Sequence, residues 1–177
     1  MIERIIIAGA GGQGIMVLGR VLAEAAMKEN KQVSWLPSYG AEVRGGTANC
    51  MVTISDEEIG SPYIDKADAL IIMNQPSLKR FASRIKDRGL IVLNSSLAKS
   101  KPETKATVLM FPFTDLALKL GNAKVANIVA LGCFAAKSGM VKMDSITQVI
   151  EEMAPKDKKE LIAVNKNALS AGQELIK

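Results

Sequence analysis

The chain contains no histidine among its 177 residues. This absence excludes Ser-His and Cys-His nucleophile pairs, the usual zinc sites and the commonest general base. Cysteine is scarce as well, since Cys50 and Cys133 lie far apart and form no Cys-x-x-Cys pattern. Two thiols fall short of the ligand set of an ordinary iron–sulfur cluster. If the chain belongs to an enzyme, we expect its chemistry to be carried out elsewhere, with no catalytic residue and no metal ligand on this chain.

Aromatic side chains are also scarce, and long apolar runs are absent. Aromatic residues make up 4% of the chain, so the core must be built from aliphatic and methionine side chains. No apolar run reaches the roughly 18 residues that a membrane span needs, and the N-terminus lacks the order of segments found in a signal peptide. We therefore expect a cytoplasmic protein that does not bind membranes, with residues 1–177 forming a single domain.

The net charge of +5 raises the question of nucleic-acid binding. The basic residues are spread thinly, however, and the densest cluster, at 156–159, is interrupted by Asp157. No aromatic residues are interleaved with them, as a stacking platform for bases would require. We expect a solvated surface and no nucleic-acid partner, while an acidic protein partner or a phosphorylated ligand is equally compatible with the charge.

Hydrophobic periodicity predicts strands that alternate with helices through most of the chain. The predicted strands are 5–8, 32–36, 47–55, 67–73, 90–93 and 106–111, with a short hairpin partner at 58–64. The predicted helices are 15–29, 76–88, 112–121, 125–137, 144–153 and 157–176. This order is typical of an α/β fold with a Rossmann-like, doubly wound, mainly parallel sheet, here with a β-hairpin insertion after the second strand.

The predicted strand at 47–55 alternates in polarity. Ala48, Cys50, Val52 and Ile54 fall on one face, and mostly polar residues fall on the other. The pattern indicates a strand with one buried face, on which Cys50 is a small core residue.

A glycine-rich turn follows the first predicted strand. Gly9-Ala10-Gly11-Gly12-Gln13-Gly14 leads directly into the first predicted helix and fits the Gly-x-Gly-x-x-Gly spacing of dinucleotide-binding folds. Glycines allow close backbone approach to a phosphate, and the first N–H groups of the helix point at it. The turn is therefore a candidate anion site, although such a turn also serves simply to pack a helix against a strand.

A nicotinamide cofactor requires a second feature that this chain lacks. The second strand of such folds ends on an acid that holds the ribose hydroxyls, whereas here the predicted strand at 32–36 runs into Pro37-Ser38-Tyr39-Gly40. The nearest acid, Glu42, lies further on in a glycine-containing loop. A stand-alone NAD(P)-dependent dehydrogenase therefore stays an alternative, since Ser38 and Arg44 could accept a 2′-phosphate.

Several polar segments follow predicted strands and should meet at one edge of the sheet. These are the glycine turn, the loop at 39–49, Asn74-Gln75-Pro76 and Asn94-Ser95-Ser96. In doubly wound sheets the carboxyl ends of the strands are where ligands and partners bind.

The loop carries a second notable motif. In Tyr39-Gly40-Ala41-Glu42-Val43-Arg44-Gly45-Gly46, a guanidinium stands beside exposed glycine backbone, which suits phosphate or carboxylate recognition. A flexible loop with a solvated arginine is the simpler interpretation of this segment taken alone.

Together, the glycine turn and the 39–46 segment resemble the gamma subunit of 2-oxoacid:ferredoxin (or flavodoxin) oxidoreductases. The apolar strand before Asn74-Gln75-Pro76 and the small-residue helix containing Asn127 reinforce this resemblance, which spans nearly the full chain. The short, unfused chain looks most like the 2-oxoglutarate type, although pyruvate and branched-chain gamma subunits are similar.

The resemblance implies a subunit whose chemistry resides in its partners. Alpha and beta subunits would hold thiamine diphosphate with magnesium, and [4Fe-4S] clusters would lie on beta or on a ferredoxin-like delta subunit. The complex would oxidise a 2-oxoacid to an acyl-CoA and reduce ferredoxin. This chain would dock on that assembly and help to hold coenzyme A, and the isolated chain would be inactive and able to form a homodimer. The candidate cofactor-binding residues are Gly9, Gly11, Gly12, Gln13, Gly14, Arg44, Gly45 and Gly46.

Overall fold

Six strands form one sheet in the computed structural model, which describes residues 1–38, 47–155 and 159–177. The strands are β1 (Ile2–Ala10), β2 (Gln32–Ser38), β3 (Thr47–Ser55), β4 (Ala67–Ile72), β5 (Ile85–Asn94) and β6 (Thr107–Phe111). They are ordered β2-β3-β1-β4-β5-β6 across the sheet. β1, β4, β5 and β6 are parallel to one another, and β3 runs antiparallel to both of its neighbours.

The helices are α1 (Ile15–Lys28), α2 (Gln75–Phe81), α3 (Phe113–Lys119), α4 (Ala126–Ser138), α5 (Met143–Met153) and α6 (Lys159–Glu174). Short 3-10 turns at Ala82–Arg84 and Ala123–Val125 follow α2 and precede α4. The predicted α/β class with a mainly parallel sheet is confirmed. Two predicted segments lie outside the described residues. One is the loop at 39–46, with Arg44, Gly45 and Gly46, and the other is most of the basic cluster at 156–159.

Two hydrophobic clusters cover the sheet unequally. One joins Ile5, Ile7 and their face of the sheet to α1, α3, α4, α5 and α6. The other joins Ile6, Ala8 and the opposite face to α2 and to the connections around Ile64 and Ala98. Since successive side chains of a strand point to opposite faces, the isoleucine run of β1 feeds both clusters.

The prediction of one long helix over 76–88 is wrong. The helix ends at Phe81, and Ile85 begins β5 by pairing with Ala67. The spacing of Leu78, Phe81 and Ile85 satisfies a helical stripe, but Leu78 and Phe81 pack from α2 while Ile85 packs from the sheet. Gly89, which directly follows the predicted helix, lies in a bulged part of β5, where a Cβ would stand 2.8 Å from the Asp68 carbonyl oxygen.

The predicted hairpin partner at 58–64 is also wrong, because that segment has no strand structure. β3 pairs with β2 and β1 instead, so the hairpin formed by β2 and β3 is part of the sheet itself. β3 is buried on both faces rather than on one, since Ile64 packs in the same cluster as Met51 and donates its backbone N–H to the Met51 sulfur. Met51, the one apolar residue on the otherwise polar face of the alternating pattern, is therefore buried as well. Cys50 is confirmed as a core residue.

Candidate functional site

The glycine turn connects the end of β1 to the start of α1 through two residues in the left-handed backbone region. Gly12 has a φ of +88° and Gly14 a φ of +70°, which L side chains rarely adopt. Gly14 caps α1, and its carbonyl oxygen accepts the first helical hydrogen bond from the Leu18 N–H at 2.9 Å. The sharp turn therefore depends on glycine at these two positions.

The side chain of Gln13 fastens the turn to the sheet. Its Oε1 accepts a hydrogen bond from the Ala10 N–H at 2.6 Å, and its Nε2 lies 3.4 Å from the Met73 carbonyl oxygen at the end of β4. A Cβ at Gly9 would stand 2.6 Å from Gln13 Oε1, so Gly9 leaves room for this side chain. Both candidate residues thus have an internal structural role.

Asn127 joins the start of α4 to the same turn. Its Nδ2 donates to the Gly14 carbonyl oxygen at 3.0 Å, and the residue is only 4% exposed. The sequence associated Asn127 with the family resemblance but did not place it beside the turn. No local pattern could have done so, because 113 residues separate the two partners.

Asn94 organises the neighbouring end of the sheet. This fully buried side chain donates from Nδ2 to the Met73 carbonyl oxygen at 3.2 Å and to Thr114 Oγ1 at 2.9 Å. Its Oδ1 accepts the Thr114 N–H at 3.3 Å. The end of β5, the end of β4 and the start of α3 are therefore held together by one amide.

A cleft of about 190 Å³ opens between these elements. Its walls combine the turn, the strand ends and the starts of α3 and α4: Gly12, Gln13, Met73, Leu97, Thr114, Ala123, Lys124 and Ala126. The cleft lies at the carboxyl edge of the parallel strands, as the sequence predicted for the glycine turn. Thr114 and Lys124 were missed, because neither belongs to a recognisable motif.

The turn presents open backbone at this edge. Gly11 and Gly12 are exposed, and a Cβ built at Gly12 meets no atom within 4 Å. α1 has no acidic residue in its first turn and no side-chain cap, so the positive end of its dipole is not neutralised from within the helix. With Lys124 on the wall, the cleft can accept an anionic group.

The sheet order bears on the nicotinamide alternative. β3, rather than β2, lies next to β1, and Thr47 at the start of β3 pairs with Ala10. The strand end that would carry a ribose-binding acid is therefore one strand further from the turn. β2 ends on Ser38, so this geometry does not favour NAD(P).

Both cysteines are buried. Burial raises the pKa of Cys50 and of Cys133 to about 12. In residues 1–38, 47–155 and 159–177, no cluster of three or more potential metal-ligating side chains is found. In the same residues, no helix is both long and apolar enough to cross a membrane.

A model of the pyruvate ferredoxin/flavodoxin oxidoreductase family matches residues 4–175. The ketoisovalerate oxidoreductase subunit VorA of Methanothermobacter thermautotrophicus is 41% identical over 174 residues, which cover 97% of this chain. The chain spans only 36% of the length of that relative. The 2-oxoglutarate synthase subunit KorC of Methanocaldococcus jannaschii is 35% identical, and the match covers 94% of this chain and 92% of KorC.

A solved structure agrees with these relationships. The gamma subunit of a keto/oxoacid ferredoxin oxidoreductase from Geobacter sulfurreducens superposes with a TM-score of 0.86 at 30% sequence identity. The superposition covers 98% of each chain.

Proposed function

Because this chain belongs to the pyruvate ferredoxin/flavodoxin oxidoreductase family, as its sequence motifs predicted, we propose that it is the gamma subunit of a 2-oxoacid:ferredoxin oxidoreductase. The observation that carries this proposal is the end-to-end match to KorC and to the Geobacter gamma subunit. The proposed complex decarboxylates a 2-oxoacid oxidatively, forms an acyl-CoA and reduces ferredoxin. Thiamine diphosphate, magnesium and [4Fe-4S] clusters belong to its alpha, beta and delta subunits.

The role of this chain is docking and ligand positioning rather than bond making. The lack of histidine and the two buried thiols leave it without an evident nucleophile or base. Leu97, which is 45% exposed, lies on the cleft wall beside the glycine turn. An exposed apolar side chain beside open backbone supports an interface with the thiamine-diphosphate subunits at this edge.

Coenzyme A is the ligand proposed for the carboxyl-edge cleft. A cleft of about 190 Å³ has room for only part of that molecule, such as a phosphate group or a segment of its arm. The N–H groups at Gly12 and at the first turn of α1 suit a phosphate. Lys124 would add a positive charge, and Arg44 is proposed to contribute from the adjoining loop.

Reconstitution tests the assignment as a subunit. The chain and the thiamine-diphosphate subunits encoded in the same genome would be co-expressed, purified and assayed for ferredoxin reduction with a 2-oxoacid and CoA. We expect the complex to lose most of its activity without this chain and to regain it on addition of the purified chain. Full activity without the chain, or no association with it, would contradict the proposal.

Calorimetric titration of the complex with CoA tests the ligand. We expect Lys124→Ala and Arg44→Ala each to weaken CoA binding by about tenfold or more, since a hydrogen bond to a charged group contributes about 1.5–3 kcal/mol net of solvent competition. Lys137→Ala removes an exposed charge from the far end of α4 and should leave the affinity unchanged. Equal affinities in all four proteins would remove this cleft from the CoA site.

The substrate is proposed to be 2-oxoglutarate, because KorC matches this short chain over nearly its whole length. A branched-chain 2-oxoacid is the second candidate, since VorA has the higher identity. Comparing kcat/KM of the complex for 2-oxoglutarate, 2-oxoisovalerate and pyruvate would decide between them.

A further inference from the structure

Four cations and an exposed tyrosine lie on the thinly covered side of the sheet. Only α2 and the connections at 56–66 and 95–106 pack on that side among the described residues. The cations are Lys66, Lys79, Arg80 and Arg84, and Tyr63 among them is 60% exposed. We call Tyr63 and these four residues the basic face.

The two arginines of the basic face are held in place by aromatic rings and uncharged acceptors. The Arg84 guanidinium carbon lies 5.3 Å from the centroid of the Tyr63 ring, and its Nε donates to the Asp65 carbonyl oxygen at 3.0 Å. The Arg80 guanidinium carbon lies 5.4 Å from the centroid of the Phe81 ring, and Arg80 Nη1 donates to Thr47 Oγ1 at 2.7 Å. Such contacts restrict long side chains before any partner arrives.

No described carboxylate pairs with the cations of the basic face, whose contacts are with uncharged groups. Lys66 Nζ donates to the Ser83 carbonyl oxygen at 2.7 Å. Within the described parts of the chain, no carboxylate oxygen lies within 4.0 Å of a cationic nitrogen of these four residues. By contrast, Arg20 pairs with Glu24 in α1 at 2.7 Å, and Lys28 of α1 pairs with Glu152 of α5 at the same distance.

We propose that the basic face binds an acidic surface of a partner subunit in the same oxidoreductase. The inference rests on the proposed function and names a second contact surface, which shares no lining residue with the carboxyl-edge cleft although Arg80 reaches the same edge through Thr47. Restricted guanidinium groups suit carboxylates and lose little entropy on binding. Tyrosine and arginine are also the residue types that dominate interface energetics. A nucleic acid is a poorer fit, because Phe81 is buried and Tyr63 alone offers a ring for base stacking.

The test measures the affinity of this chain for the co-expressed thiamine-diphosphate subunits at low and at high salt. Lys79→Glu/Arg80→Glu reverses two charges of the basic face. We expect it to raise the Kd by about tenfold or more at low salt, and much less at high salt. Lys79→Gln/Arg80→Gln keeps amide donors at both positions and should give a smaller increase.

The matched control is Lys137→Glu/Lys142→Glu, which makes the same change in net charge on α4 and just before α5. It should change the Kd by less than about twofold. Equal weakening by both reversals, or an unchanged Kd in Lys79→Glu/Arg80→Glu, would overturn the proposal. Tight binding of a DNA duplex that only this variant loses would overturn it in favour of nucleic acid. A wild-type chain that binds none of the subunits would instead reject the proposed function itself.

Discussion

The amide nitrogen of Asn127 donates a hydrogen bond to the carbonyl oxygen of Gly14 at 3.0 Å. Gly14 caps α1, and Asn127 lies in the first turn of α4. This contact therefore brings two helix starts to the same edge of the sheet. Both starts contribute to the carboxyl-edge cleft, through Gln13 on one side and Ala126 on the other.

Gly14→Ala should be strongly destabilising. The substitution places a Cβ 2.3 Å from Asn127 Nδ2 and forces alanine to adopt a φ of +70°. A left-handed backbone costs about 1–2 kcal/mol and overpacking about 1–3 kcal/mol, so we expect the free energy of unfolding to fall by about 2–5 kcal/mol. Chemical denaturation of the variant would measure this loss.

Two other glycines serve as matched controls for that measurement. Gly12→Ala meets the same backbone strain in open space and should cost only about 1 kcal/mol. Gly60→Ala has neither a positive φ nor a close neighbour and should change stability by less than about 0.5 kcal/mol. Equal losses at Gly14 and Gly12 would show that the Asn127 contact adds nothing.

Gly132→Ala and Gly172→Ala should each separate α4 from α6. A Cβ at Gly132 would stand 2.1 Å from the Leu169 carbonyl oxygen, and one at Gly172 would stand 2.0 Å from the Val129 carbonyl oxygen. Neither backbone can move aside cheaply, so we expect each variant to lose about 1–3 kcal/mol in thermal or chemical unfolding. Ser170→Ala, at an exposed position of α6, should instead be neutral or slightly stabilising. Wild-type stability in both glycine variants would contradict this packing.

The two thiols should be unreactive in the folded protein. Burial raises the pKa of Cys50 and Cys133 to about 12, so on the order of one thiol in 10⁵ is ionised at neutral pH, and the thiolate is the reactive form. We expect Ellman's reagent to label neither cysteine in the native chain and both after unfolding in guanidinium chloride. Rapid labelling of either thiol in the native chain would show that its environment is more open.

Asp56 should titrate well below the ordinary value of an aspartate. A hydrogen bond from Lys31, followed by one from the N-terminal ammonium, lowers its pKa from 3.8 to about 2. Because the folded pKa is depressed, the resulting stabilisation is present above the unfolded pKa and is lost as the pH falls through about 2. Carboxyl-detected NMR titration would show this directly, with the shift reduced by salt because the group is exposed.

The Asp56→Asn variant provides the control for that titration. It should lose less stability than the wild type between pH 4 and pH 2. Titration of Asp56 near its ordinary value, or identical acid sensitivity in the two proteins, would contradict the predicted ion pairs.

Predictions from local patterns succeeded where a segment's own residues decide its structure. The isoleucine run of β1, the glycine turn and the amphipathic α1 follow from apolar periodicity and from glycine's backbone freedom. The same reasoning failed at Ile85, which fits a helical stripe with Leu78 and Phe81 and yet begins β5. Pairing with Ala67 on β4 overrode the local period there.

The fold class, the turn at Gly9–Gly14 and the family could all be predicted from the sequence, because each depends on residue types at short spacing. Only the folded chain shows that β3 lies between β2 and β1, that Gln13 lies 3.4 Å from the Met73 carbonyl oxygen, and that Asn127 donates to Gly14. These relationships join residues distant in sequence, and they arise only once strand order and register are set. Local periodicity reports which faces are buried, but it does not report what buries them.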